Sequence, residues 1–268
     1  MGSFPESIVY LGYGDEKVAQ STAFGSLPLG HAMELPDGRK FRLMRCGSAT
    51  ALGAGVITST SAEVAGHGNV SGSGLLTSAT TTENLAGDTA VYLISKSAAV
   101  TLNQYAGGFL QVLGPAASTA YIGRVYKIKA NNSTAVSTRF KITLETTDSL
   151  KADLKAGTTL CSLRRSSFAE QIIFDPGTVI AGPMGATPTA VSASFYYWGQ
   201  TRGECSLQQS ATMIVTGAPV HCAVSVAGSV TTLAATAATA GGYAAVEVGR
   251  ALGAGAASEA VLTYLTIE

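Results

Sequence analysis

Charged residues are scarce in this sequence of 268 residues. They make up 13% of the chain, about half the roughly 25% of an ordinary soluble domain, and the formal net charge is zero. A chain without an overall basic field is a poor global binder of nucleic acid, so no nucleic-acid partner is expected. Because few surface charges favour association, the composition indicates a surface covered by partners. A monomer with a surface rich in Ser and Thr is the alternative.

Cysteine and histidine are too few and too scattered for a recognisable catalytic or metal site. The four cysteines form no CxxC pair and fit no zinc spacing. They are expected to be buried free thiols, with a bridge between Cys205 and Cys222 as the alternative. The three histidines form no HExxH motif, and no GxSxG or Walker A motif occurs. The sequence therefore predicts a protein that is not an enzyme and has no cofactor or metal.

Long hydrophobic runs are also missing. The first apolar run, Ile8 to Gly12, is short and no basic region precedes it, so a signal peptide is not expected. No Lys, Arg, Asp or Glu occurs from Cys205 to Val246, but this segment is rich in Thr, Ser, Gly and Ala and contains Pro219. It lacks the dense apolar block of about 20 residues that spans a bilayer. No membrane partner is expected.

Alternation of polar and apolar residues is the main structural signal. Residues 121–146 predict an antiparallel hairpin, with turn chemistry at Asn131 to Thr134. Only 147–157 favours a helix, of about two turns. The expected fold is mainly β, with antiparallel sandwich or barrel units, long loops, an extended N-terminal arm and little helix. Further short strands are predicted at 88–95, 108–114, 158–163, 170–175, 194–201, 210–217, 221–228, 243–252 and 260–268.

Two segments of biased composition suggest how the chain is divided. Residues 59–84 are rich in Ser, Thr and Gly, which is typical of a long surface loop or arm, and 175–192 resemble a Pro-rich linker. The predicted parts are an N-terminal arm and hairpin over 1–58, a middle β domain over 59–180 and a C-terminal β unit over 181–268.

The stretch ELPDGRKFRLMRCG, residues 34–47, combines a turn with a cluster of basic residues. Pro36 and Gly38 stand where a type I turn favours them, so a tight hairpin is predicted. The cations after the turn fall on both faces of the outgoing strand. We expect them to contact acidic residues of a partner on one side and their own domain on the other. These candidate contact residues are Arg39, Lys40, Arg42 and Arg45.

The segment FYYW, residues 195–198, contains the only Trp. On a strand, Phe195 and Tyr197 point away from Tyr196 and Trp198. Aromatic residues on both faces indicate either a central strand of the core or a strand with one interface face. Tyr196 and Trp198 are therefore further candidates for partner contact, with burial in the core as the alternative.

Both ends of the chain resemble one family. The N-terminal match comprises Leu29-Gly30, Met33, Leu35 to Arg39, Phe41-Arg42 and Gly47 to Gly55. The C-terminal match comprises SFYYWGQTRGECSL, VGRALGAG and VLTYLTIE. These segments are similar to head decoration, or cement, proteins of tailed bacteriophages, which are encoded near the major capsid protein. The resemblance covers roughly the first 55 and the last 75 residues.

The resemblance implies a structural virion protein that stabilises the capsid. Its implied partners are the major capsid protein and copies of itself, as a homotrimer, and its place is the capsid exterior after synthesis in the host bacterial cytoplasm. It has no catalytic residues to carry over. A phage tail or fibre component, or a receptor- or carbohydrate-binding module, is the main alternative. A polysaccharide-active enzyme is a more distant one.

If the hairpin cations bind acidic capsid residues, replacing Arg39 and Arg42 by Glu is expected to weaken capsid binding at low salt. Sedimentation of the protein with capsids at low and high salt measures this. Unchanged occupancy would indicate that the cluster is only a solvated hairpin.

Overall fold

The structure is a computed structural model that describes residues 8–64, 67, 75–77, 84–95, 98–114, 123–154, 159–175, 182–210, 214–223, 226–232, 246–256 and 259–268. Within these ranges the chain forms eighteen strands, one 3₁₀ helix (Asp15–Lys17) and no α-helix. The mainly β prediction is therefore confirmed. The strands are β1 (Val9–Tyr10), β2 (Ala19–Gln20), β3 (Ala32–Glu34), β4 (Lys40–Arg45), β5 (Ile57–Thr60), β6 (Leu75–Thr77), β7 (Ala90–Ile94), β8 (Phe109–Gly114), β9 (Val125–Asn131), β10 (Arg139–Leu144), β11 (Leu160–Arg164), β12 (Gln171–Ile173), β13 (Gly185–Ala186), β14 (Tyr196–Gln208), β15 (Pro219–Cys222), β16 (Val230–Thr232), β17 (Glu247–Ala251) and β18 (Ala260–Thr266).

The chain forms two compact units. One, here called the split unit, combines Met1–Ala62 with Ser167–Glu268, and the other, the barrel unit, is Glu63–Ser166. This division differs from the three predicted segments, because both ends of the chain contribute strands to one sheet. Strand β4 from the N-terminal part pairs with β14 from the C-terminal part. The described part of the predicted N-terminal arm is therefore built into that sheet.

The barrel unit is a closed antiparallel barrel with the strand order β10-β7-β6-β11-β8-β9. Strands β9 and β10 pair antiparallel, which confirms the predicted hairpin. Their apolar residues alternate with polar ones as the sequence indicated, and the apolar set forms the barrel core. Its buried members include Tyr126, Ile128, Phe140, Ile142 and Leu144.

The predicted helix over 147–157 is absent from its described part, 147–154. The N–H of Leu150 donates to the Asp88 carbonyl, and that of Leu154 donates to the Asn84 carbonyl, both at 2.8 Å. Both leucine side chains are buried in the barrel core. Their helix-like spacing therefore reflects two anchor points of an irregular segment. Residues 155–157 lie outside the described residues.

The two segments of biased composition are also more structured than predicted. The expected loop 59–84 contains β6, which pairs with β7 and β11 in the barrel. The expected linker 175–192 contains β13, which pairs with β5 and β14, and Val191 is buried. In both places hydrogen bonding to neighbouring strands overrides a composition that favours loops. The remaining positions of both segments include residues outside the described ranges.

In the split unit the main sheet has the order β1-β3-β4-β14-β18-β17-β15-β16. Strand β14, with thirteen residues, changes character along its length. Its first part is buried on both faces, with Tyr197 in one core cluster and Trp198 in another. Its second part alternates, so that Cys205 and Leu207 enter the core. The side chains of Glu204, Ser206 and Gln208 face solvent. The opposed aromatic faces predicted from FYYW are thus present, and both are packed against core residues.

The predicted hairpin is formed by β3 and β4. The Gly38 N–H donates to the Leu35 carbonyl at 2.9 Å, which closes the turn around Pro36. Gly38 adopts φ +84°, a left-handed conformation that disfavours other residues. The Leu35 N–H then donates to the Arg39 carbonyl at 3.0 Å. This geometry confirms the turn and sets the register in which Glu34 lies opposite Lys40.

All four cysteines are buried free thiols, so the alternative bridge between Cys205 and Cys222 is not formed. Burial raises the pKa of Cys161, Cys205 and Cys222 to about 12. A thiol of this kind is largely unionised near neutral pH and inaccessible to reagents.

The native protein is therefore expected to react very slowly with iodoacetamide or a disulfide reagent at about pH 8, whereas all four thiols react after denaturation. Mass spectrometry of the labelled protein counts the modified residues. Rapid stoichiometric labelling of the folded protein would contradict the burial of these side chains.

Candidate functional site

A cleft in the split unit contains two of the predicted contact residues. It has a volume of about 250 Å³ and lies on β3, β4 and β14. The apolar floor comes from the strands themselves, and charged side chains surround it. We call it the hairpin cleft, and its lining residues are Ile8, Ala32, Met33, Glu34, Lys40, Phe41, Arg42, Arg202 and Glu268.

Strand register places the charged residues of the cleft side by side. Glu34 of β3 lies opposite Lys40 of β4, and Lys40 lies opposite Arg202 of β14. An acid and two cations therefore form one row across three neighbouring strands. Arg42 lies two residues farther along β4, on the same side as Lys40.

Two of the three cations in the hairpin cleft already have partners. Lys40 Nζ lies 3.9 Å from Glu34 Oε2. The Arg42 guanidinium donates to both carboxylate oxygens of Glu268, and it also donates to the Gly30 carbonyl at 3.0 Å. The Arg42 pair joins residues 226 positions apart, and it holds the last residue against the hairpin. These pairs stabilise the cleft and leave little positive charge for a ligand.

Arg202 is the exception. Its side chain is exposed, and it forms no ion pair with any carboxylate in the part of the chain that the structure describes. A guanidinium presents two parallel N–H groups that match a carboxylate. The cleft can therefore bind an acidic side chain of a partner through Arg202. Sequence reasoning did not single out this residue, although it is the one cation between 194 and 206.

The other two hairpin cations are also paired within the split unit. Arg39 Nε lies 2.7 Å from Asp37 Oδ2, and another Arg39 nitrogen lies 3.7 Å from Glu16. Burial alone would raise the pKa of Asp37, but hydrogen bonds from the Arg39 backbone and side chain lower it. Arg45 lies 3.7 Å from Glu170 and covers the Tyr196 ring. The expected contact with the chain's own domain is thus present for each cation, and contact with an acidic partner stays a prediction.

The prediction that Trp198 contacts a partner is wrong, because only 1% of this residue is exposed. Its ring lies 5.7 Å from that of Phe24, and it packs in a cluster with Phe41 and Leu43. The reason is the central position of β14, which has core residues on both faces. Tyr196 is partly buried and packs at the edge of the same cluster, beneath Arg45.

A second group of reactive side chains lies in the barrel unit. His67 Nδ1 is 2.6 Å from the Tyr105 hydroxyl, and His67 Nε2 is 3.0 Å from the Ala98 carbonyl. This arrangement assigns the proton to Nε2 and lets Nδ1 accept from the hydroxyl. Both side chains are completely buried, and burial lowers the pKa of His67 and raises that of Tyr105. A pair sealed from solvent stabilises the barrel and does not meet a substrate.

His67 has a predictable effect on stability. Its pKa in the folded protein lies below the ordinary 6.5, so the unfolded chain binds a proton there that the folded chain does not. The free energy of unfolding is therefore expected to fall as the pH drops below about 6.5. A His67→Gln variant should lose this part of the pH dependence and be less stable at neutral pH by about 1–3 kcal/mol.

Urea denaturation of both proteins between about pH 5 and pH 8 measures the difference. Nearby Glu63 has a pKa raised by burial, which acts in the opposite direction. Because Glu63 is present in both proteins, the comparison isolates His67. An identical pH dependence in the two proteins would show that His67 does not carry this effect.

Comparisons with known proteins found no match for this chain. No model of a known protein family matches the chain, no curated protein matches its sequence, and no solved structure matches its fold. Within the described residues, no group of three or more His, Cys, Asp or Glu is arranged to hold a metal ion. In the same residues, no helix is long and apolar enough to cross a membrane.

Proposed function

We propose that this protein is a structural component of a bacteriophage virion, where it decorates the capsid exterior and stabilises the shell by binding the major capsid protein. In this role it acts through surface contacts and carries out no chemical reaction. The proposal begins from the resemblance of the two chain ends to decoration proteins. The homotrimer that this resemblance implies is a prediction.

The position of the resembling segments supports the proposal. They are far apart in the sequence, yet β4 and β14 pair directly, with Met44 opposite Tyr197. The matching ends are therefore parts of one folded unit. The barrel unit, which matches none of the family's pattern, is an insertion between Ala62 and Ser167 of that unit.

The observation that carries the proposal is the guanidinium of Arg202 in the hairpin cleft, which has no carboxylate partner among the described residues. Two neighbouring cations, Lys40 and Arg42, are held by Glu34 and Glu268. These two ion pairs hold the side chains that line the cleft in place. The guanidinium of Arg202 remains available to bind an acidic side chain. A charge-assisted pair at such a point gives a contact its orientation and accelerates association. We assign the acidic partner residue to the major capsid protein.

Reversal of charge at Arg202 tests this contact better than reversal at Arg39 or Arg42. Those two side chains stabilise their own unit through Asp37 and Glu268, so their replacement also disturbs folding. Arg202→Glu breaks no ion pair among the described residues. It is expected to reduce the occupancy of undecorated capsids about tenfold at low salt, with a smaller effect at high salt.

Lys151→Glu is the matched control, because Lys151 is an exposed cation of the barrel unit and the change in net charge is the same. Co-sedimentation with capsids, followed by electron microscopy, measures occupancy. Bare capsids that remain undecorated by the wild-type protein would overturn the proposed function. Equal decoration by the wild type and Arg202→Glu would retain the function and overturn the role of the cleft.

A further inference from the structure

Among the described residues, one part of the split unit's sheet, formed by the second part of β14 with β18 and β17, has an exposed face. Strand β18 lies between β14 and β17 and alternates regularly between buried and exposed residues. Its odd-numbered residues, together with those of the second part of β14, enter the core. Its even-numbered residues face outward. We call this outward surface the open face, and its central residues are Glu204, Ser206, Arg250, Leu252, Leu262 and Tyr264.

Large apolar side chains are exposed on the open face. Leu262 is 45% exposed, Leu252 is 42% exposed and Tyr264 is 39% exposed. Leu252 is next to Leu262, since its N–H donates to the Leu262 carbonyl at 2.8 Å. A contiguous group of exposed apolar side chains on a sheet face is typical of a site of association. This chain has few charges elsewhere to oppose such association.

The charges of the open face flank this apolar strip. Glu204 on β14 lies directly opposite Tyr264, and Arg250 on β17 lies opposite Tyr264 from the other side. The two charged residues are therefore separated by two strand spacings, about 9–10 Å. Both are exposed, and neither forms an ion pair within the described ranges.

This arrangement is complementary to itself under one particular two-fold rotation. A two-fold axis along β18, in the plane of contact, brings Glu204 of one copy opposite Arg250 of the other. The same rotation brings Arg250 opposite Glu204, which makes two identical charge pairs. An axis across the strands would instead set Glu204 against Glu204 and Arg250 against Arg250, and like charges in contact are unfavourable.

We propose that the open face binds the open face of a second copy of this chain, with the two-fold axis along β18. Leu262 and Tyr264 lie on the axis and contact their own counterparts, as residues on the axis of an isologous interface do. The two sheets stack face to face at about 10 Å with their strands nearly aligned. The apolar strip supplies the burial, and the two charge pairs fix the register. A two-fold pair differs from the trimer that the family resemblance implies.

Sedimentation equilibrium at low salt tests the pairing. The wild-type protein is expected to reach twice the chain mass of 27.2 kDa. Leu262→Asp places a charge on the axis of the interface and is expected to leave a monomer. The matched control is Leu102→Asp in the barrel unit, where the leucine is 68% exposed, and it should remain dimeric. Circular dichroism of both variants should match the wild type, since neither side chain is part of a core.

A charge swap tests the register. Glu204→Arg and Arg250→Glu alone each place like charges opposite each other and are expected to weaken dimerisation about tenfold. The double variant restores both pairs with reversed signs and is expected to return to within about threefold of the wild type.

Cross-linking tests the symmetry. Leu262→Cys should be joined to its own counterpart by a short bismaleimide reagent that bridges two thiols, whereas Leu102→Cys should not. A bridging reagent is needed because sheets about 10 Å apart hold the two residues 262 too far apart for a direct disulfide. The four native cysteines are buried and contribute little background. The proposal would be overturned if the wild-type protein were a monomer at all concentrations or a trimer, or if the Leu262→Asp variant remained a dimer. It would also be overturned if the double variant dimerised no more strongly than the single variants, or if no cross-link formed at residue 262.

Discussion

The pairing of β14 with β4 and β18 is the interaction on which the split unit depends. It joins the two ends of the chain, because β4 comes from the first 62 residues and β18 from the last ten. The first part of β14 is enclosed by core on both faces, so its register is strongly specified. A slip by one residue would exchange Tyr197 and Trp198 between two different clusters. The hairpin cleft and the open face both inherit their geometry from this register.

The second constraint is the closure of the inserted barrel. All six strands have two neighbours, so the described barrel has no free edge. The two units also carry formal net charges of opposite sign. Residues 63–166 contain ten Lys and Arg against six Asp and Glu, and the remaining residues contain seven against eleven. The zero net charge of the whole chain therefore combines a basic barrel unit with an acidic split unit, and arguments from total charge apply to neither unit alone.

Sequence reasoning was accurate where the signal is local. Alternation predicted the β9–β10 hairpin, and eight of the nine other predicted segments contain or overlap a strand; 210–217 forms none among its described residues. The turn at Pro36 to Gly38 was predicted from residue preferences that act within four positions. The failures arose where distant partners decide. Residues 147–154 lack a helix because two leucines are anchored in the barrel core, and β13 forms because β5 and β14 offer it hydrogen bonds.

The sequence by itself determined the class of fold, the position of the hairpin and the presence of four cations after its turn, because side-chain alternation and turn chemistry are properties of neighbouring residues. Only the tertiary structure decided which cations are available to a partner. Arg42 is neutralised by a carboxylate 226 positions away, while Arg202, opposite Lys40 across a strand pair, has none among the described residues. An ion pair depends on distances of a few ångströms between side chains, and the register of strands from opposite ends of the chain sets those distances.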